Sequence, residues 1–162
     1  MEPIVQLPED QPTLTITRTL NAPRELVWRM FSDPVHLVRW WGPHGFTNPV
    51  CELDFRVGGR WYHVMRSPDG RDFPADNTFV EIVPPERIVY RNRVVDDQVF
   101  EGNPPPSFKR TLTFTEANGV TTLTLFAEFE SFDERDRVKR RGFIEGTLES
   151  YVRLAEIVEA LA

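Results

Sequence analysis

A chain of 162 residues, 40% apolar and 27% charged, is long enough for one domain with its own core and too apolar to be disordered. Against 19 basic side chains stand 25 acidic ones, and the net charge of −6 excludes a general nucleic-acid or anionic-membrane surface, which needs a basic face to release counterions. A lone cysteine, Cys51, excludes an internal disulfide and a cysteine-rich zinc site. No apolar run approaches the roughly 20 residues that span a bilayer, and the acidic start Met1-Glu2-Pro3 lacks a signal core, so a cytoplasmic protein is expected.

Residues 1–11, with three acids and two prolines, read as a loose arm, and residues 12–162 as one domain. From Thr13 the run Thr-Leu-Thr-Ile-Thr-Arg-Thr-Leu alternates with period two and predicts a strand with Leu14, Ile16 and Leu20 inward; Arg18 shares their parity. Pro23 opens a short helix whose apolar face is Leu26, Val27, Met30 and Phe31, and Asp33 caps a second one through about Arg39. Strands are expected near 49–56 and 60–66 around Gly58-Gly59, then near 77–83 and 87–93 around Pro84-Pro85-Glu86. Residues 96–107, with three consecutive prolines, form an extended loop, and strands near 109–116 and 120–129 meet at Asn118-Gly119. One long amphipathic helix from about Asp133 to Ala160 completes the chain.

An antiparallel sheet needs cover for its apolar face, and the C-terminal helix is the only large amphipathic element available. The expected fold class is therefore α+β: a curved antiparallel sheet of about seven strands wrapped around a long C-terminal helix, with two short helices between the first and second strands. That helix-grip arrangement leaves a space suited to a small apolar molecule.

Several motifs now combine. Arg18-x4-Pro23-x-Glu25-x-Val27-Trp28, Asp33-Pro34, Trp40-Trp41-Gly42-Pro43, Asp54-x-Arg56-x-Gly58-Gly59-x-Trp61, Met65-x3-Asp69-Gly70 and Glu81-Ile82-x-Pro84-Pro85-Glu86-Arg87 occur in order. Over roughly residues 12–161 the chain resembles the bacterial homologues of the heat-shock protein 90 ATPase activator, in the START-like superfamily. The resemblance implies the helix-grip fold, a hydrophobic cavity and no cofactor, and family habit allows a homodimer. It implies no single reaction, because relatives range from carriers to cyclases and co-chaperone domains. Two positions depart from the family pattern: Thr147 stands where a tryptophan is usual, and Asn77 where a glycine is common. Loss of the helix tryptophan enlarges or reshapes the pocket.

Alternation puts Trp61, His63 and Met65 on one strand face, with Phe79 and Tyr90 from neighbouring strands placed to meet them. Such a row either fills core or lines a cavity. The candidate ligand contacts are Trp40, Trp41, Phe46, Trp61, His63, Met65, Phe79, Tyr90, Thr147 and Tyr151. His63, Asp54 and Tyr90 are the weak candidates for proton transfer; a histidine in an apolar row is more often a core residue satisfied by a neighbour. Arg18 meets either a ligand carboxylate or a structural partner such as Asp54 or Glu128, and Asp54 and Arg56 share a face and can pair with each other. His36, His44 and His63 lack metal-ligand spacing, and no serine sits in a nucleophile elbow. Gly142 and Gly146, one turn apart, suggest a close approach or room left for a ligand. Three functions compete: binding of a small apolar molecule, a cyclase, dehydratase or hydrolase activity in the same cavity, and a chaperone-partner role. The first is favoured.

Overall fold

The computed structural model describes residues 2–162. Its sheet is antiparallel and eight-stranded, in the order β1-β2-β8-β7-β6-β5-β4-β3. The strands are β1 (Ile4–Gln6), β2 (Thr13–Leu20), β3 (Thr47–Leu53), β4 (Arg60–Arg66), β5 (Asp72–Val83), β6 (Arg87–Arg93), β7 (Lys109–Ala117) and β8 (Val120–Glu128). Between β2 and β3 lie the short helices α1 (Arg24–Ser32) and α2 (Pro34–Trp40). The chain ends in α3 (Phe132–Arg140) and α4 (Phe143–Leu161), and α4 packs on β2, α1 and α2. This is the α+β helix-grip arrangement. Among the described residues no helix is long and apolar enough to cross a membrane.

The eighth strand comes from the segment expected as a loose arm. Ile4–Gln6 pairs with Thr15–Thr17 of β2 and forms one edge of the sheet. The next residues are anchored from α3, where Arg135 Nη1 donates to the carbonyls of Pro8 (2.6 Å), Gln11 (3.1 Å) and Thr13 (3.1 Å). In β2, Leu14, Ile16 and Leu20 are fully buried, as their alternation predicts. β5 begins five residues earlier than its expected start at Asn77, despite Pro74. Pairing with β6 begins only at Asp76, so the segment before it is hydrogen-bonded on the β4 side alone, where a missing N–H costs no ladder bond.

The expected single C-terminal helix is broken in two. Ser131 caps α3 by accepting from the Glu134 N–H (3.2 Å), and α3 ends at Arg141. Gly142 then takes the left-handed conformation (φ 87°, ψ 21°), after which α4 begins at Phe143. Asp33 caps α2 as expected, accepting from the Val35 N–H at 2.9 Å. Trp40, the last residue of α2, is fully buried; its indole N–H donates to the Met30 carbonyl (3.0 Å) and its ring meets Phe31 at 4.8 Å. Gly59 is required by the β3–β4 turn, where a Cβ would stand 2.0 Å from the Asp54 carbonyl oxygen.

Candidate ligand-binding site

Between the concave face of the sheet and the N-terminal half of α4 lies a cavity of about 580 Å³. Its floor is made by residues of five adjacent strands, β4 to β8, among them His63 and Met65 of β4, Tyr90 of β6, Leu112 of β7 and Leu125 of β8. Thr147, Ser150 and Tyr151 of α4 form the roof. One end is closed by Trp41, Pro43 and Phe46 of the loop after α2. The loop of residues 94–108 covers the side: its short 3-10 turn, Gln98–Phe100, brings Phe100 against Phe73, with ring centroids 6.3 Å apart.

Three of the expected contact residues stand behind the cavity wall. Trp40, Trp61 and Phe79 are core residues at 0%, 4% and 3% exposure, and none reaches the cavity. Trp61 is covered by Trp41 (4.7 Å, edge-on) and His63 (4.8 Å), and backed by Tyr90 (5.4 Å) and Phe79 (6.4 Å, parallel). The aromatic row thus both fills core and lines a cavity, with the boundary between Trp61 and His63. Trp41, Phe46, His63, Met65, Tyr90, Thr147 and Tyr151 line the cavity.

The polar groups are few. Burial, with repulsion from Arg110 added, pulls the His63 imidazole down to a pKa of about 3, so His63 is neutral, and its Nδ1 has no hydrogen-bond partner among the described residues. Burial raises the Tyr90 and Tyr151 phenols, which therefore remain protonated. Asn77 donates to the Trp61 carbonyl (3.2 Å) across the β4–β5 pair. Asn92 holds the end of the covering loop, donating to the Pro106 carbonyl (3.0 Å) and accepting from the Phe108 N–H (2.9 Å).

Arg110 of β7 brings a charged group into the cavity. Its guanidinium lies 3.5 Å from the Phe108 ring centroid and 5.4 Å from that of Tyr90. Nη1 donates to Asn92 Oδ1 and to the Phe108 carbonyl (3.0 Å). Desolvation lowers its pKa to about 10, which leaves it cationic at neutral pH. The motifs do not single it out, yet a signal is present: Phe108, Arg110, Leu112 and Phe114 share one parity of β7, and the three apolar members are buried. A lone charge on the apolar parity of a strand is the feature that draws attention to Arg18. Arg18 does not reach the cavity; its Nε is buried without a partner among the described residues, while the acids expected to neutralise it are engaged elsewhere, Asp54 with Arg56 (2.9 Å) and Glu128 with Lys109 (3.6 Å). Asp54 and Arg56 are exposed and lie outside the cavity. No group of three histidine, cysteine or acidic side chains among the described residues is placed to hold a metal ion.

A family model described as Activator of Hsp90 ATPase homolog 1-like protein matches residues 21–159. Among solved structures, the chain is similar to a Mycobacterium smegmatis protein at 28% identity, covering 98% of each chain with a TM-score of 0.86. It is likewise similar to a Chromobacterium violaceum protein at 29% identity, covering 91% of this chain and 97% of that one with a TM-score of 0.75. An AHSA1 protein from Silicibacter pomeroyi, 23% identical, shares the fold at a TM-score of 0.74, with 93% and 99% of the two chains covered. No curated protein matches the chain.

Proposed function

The chain belongs to the family of Activator of Hsp90 ATPase homolog 1-like proteins, and we propose that it binds a small, largely apolar molecule in the cavity between its sheet and α4. One observation carries this reading: a space of about 580 Å³ between the sheet and α4, lined largely by aromatic and aliphatic side chains. Protein interiors normally exclude voids larger than a water molecule, because unfilled apolar surface forfeits dispersion contacts. A volume of this size lies in the range of small-molecule sites.

Proton-transfer chemistry is the weaker reading. A general base works best with a pKa near the operating pH, and His63, held near 3, is a feeble proton acceptor at neutrality. Tyr90 is pushed further from ionisation, and Asp54 lies outside the cavity. The polar groups are suited to orienting a bound molecule.

Thermal unfolding in the presence of a panel of apolar compounds tests the proposal. A binder at about one hundred times its Kd stabilises a fold by about 2.7 kcal/mol. For a domain of this size that raises Tm by about 5–10 °C. Thr147→Trp adds bulk at a cavity-lining position, and the shift should shrink while the variant stays folded. A panel that moves neither protein would defeat the reading.

A further inference from the structure

Building on the cavity reading, we infer that the molecule bound there is a carboxylate with an apolar body, its head group gripped by the side edge of Arg110. The charges around the cavity point one way. Arg110 lies within it and Arg93 and Arg141 line it nearer the surface, whereas no aspartate or glutamate among the described residues lines it. This one-signed lining stands in a chain that carries six more acids than bases.

The guanidinium geometry narrows the head group. Elsewhere in the molecule, arginines grip carboxylates through the Nε–Nη2 edge. Arg60 does so on Asp76 (2.8 and 3.2 Å), Arg66 on Asp72 (2.7 and 3.1 Å) and Arg93 on Asp76 (3.2 and 2.8 Å). Arg110 spends only Nη1 on the protein, on Asn92 and Phe108, and no described residue accepts from its Nε or Nη2. Nor does any described carboxylate stand within ion-pair distance of it. A cation inside an apolar cavity, without a counterion and with a two-donor fork unspent, matches a planar two-oxygen anion. The Tyr90 and Tyr151 hydroxyls line the same space, and neither bonds to a described residue, so both can donate to that anion. With one guanidinium inside, a monoanion is better matched than a doubly charged phosphate. The aromatic walls supply the site for the apolar body.

Matched pairs of probes test this: naphthylacetate against naphthylacetamide, and decanoate against decanamide, followed by calorimetry and by Tm. The wild-type protein should bind each acid about tenfold to a hundredfold more tightly than its amide, the ratio expected for one charge-assisted hydrogen-bonded contact. Arg110→Gln should bring acid and amide to similar affinity, and Arg110→Lys, which keeps the charge and loses the fork, should fall between. Amides that bind as tightly as the acids to the wild-type protein overturn the inference and leave the cavity reading standing; this comparison needs no variant to fold. An acid preference that survives intact in Arg110→Gln also overturns it. Failure of both acids and amides to bind counts against the cavity reading itself.

Discussion

His63 shows at the residue scale how one side chain ties the site to stability. It sits 4% exposed on β4 between the Trp41 and Trp61 rings, beside the Arg110 cation. In an unfolded chain an imidazole titrates near 6.5, whereas in the fold the value is about 3. Between those limits the unfolded chain takes up a proton that the native state refuses. Stability is therefore whole above about pH 6.5 and falls as pH drops, by about 1.4 kcal/mol per unit. Urea denaturation at pH 7 and pH 5 should show wild type losing about 2 kcal/mol more than His63→Gln over that interval; equal losses would mean that His63 is free to charge in the fold. The inward parity of His63 is plain in the sequence, because Trp61, His63 and Met65 alternate on one strand. Alternation cannot show how deep each residue lies, since that depends on Trp41 folding back from another element to cover Trp61. The role of Arg110 is hidden in the sequence for a related reason: whether a charge on an apolar parity is paired or available depends on where distant acids land.

At the scale of elements, short-range signals carry most of the fold. Alternation marks β2, β4 and β8; Asp33 marks α2; and Asn118-Gly119 marks the β7–β8 hairpin. The break between α3 and α4 leaves a small mark in the sequence: the positions three and four after Val138 are Arg141 and Gly142, so the apolar spacing lapses for one turn before Phe143 and Ile144 resume it. Gly142 and Gly146 are alike in sequence and opposite in role. Gly142 holds φ at 87°, and a Cβ there would meet nothing within 4 Å, so an alanine would feel only the backbone penalty. Gly146 lies inside α4, and its Cβ would meet Pro43 Cγ at an ordinary 3.5 Å. Gly142→Ala should cost about 1–2 kcal/mol, the left-handed penalty of an L-residue. Gly146→Ala should be neutral or stabilise by up to about 1 kcal/mol, the helix-interior gain of alanine over glycine. Opposite shifts in denaturation midpoint are the expected outcome; a harmless Gly142→Ala would mean that α3 and α4 can join as one helix.

For the whole molecule, the consequence lies in how far apart in sequence the cavity walls are. Trp41 closes one end, β4 to β8 form the floor by pairing with their neighbours in sequence, and Tyr151 stands in the last helix, so the roof meets the closed end only through contacts across more than a hundred residues, such as Arg153 to the Trp41 carbonyl. All four tryptophans lie in the first half of the chain, on α1, on α2 with the residue after it, and on β4, whereas α4 supplies the roof from the other end. Tryptophan fluorescence therefore reports the packing of α1, α2 and β4, with Trp41 alone at the cavity, and far-UV dichroism gives weight to the long helix. If the sheet and α4 form one cooperative unit, the two probes should trace one denaturation curve. A molecule held between them should then move both curves by the same amount, because it binds only the assembled native state. Separate transitions, with dichroism falling before fluorescence, would show α4 leaving the sheet while the loop end persists. In that case opening of the roof at Gly142, and not global unfolding, would set the ligand-dependent stability, and Gly142→Ala would alter the first transition alone.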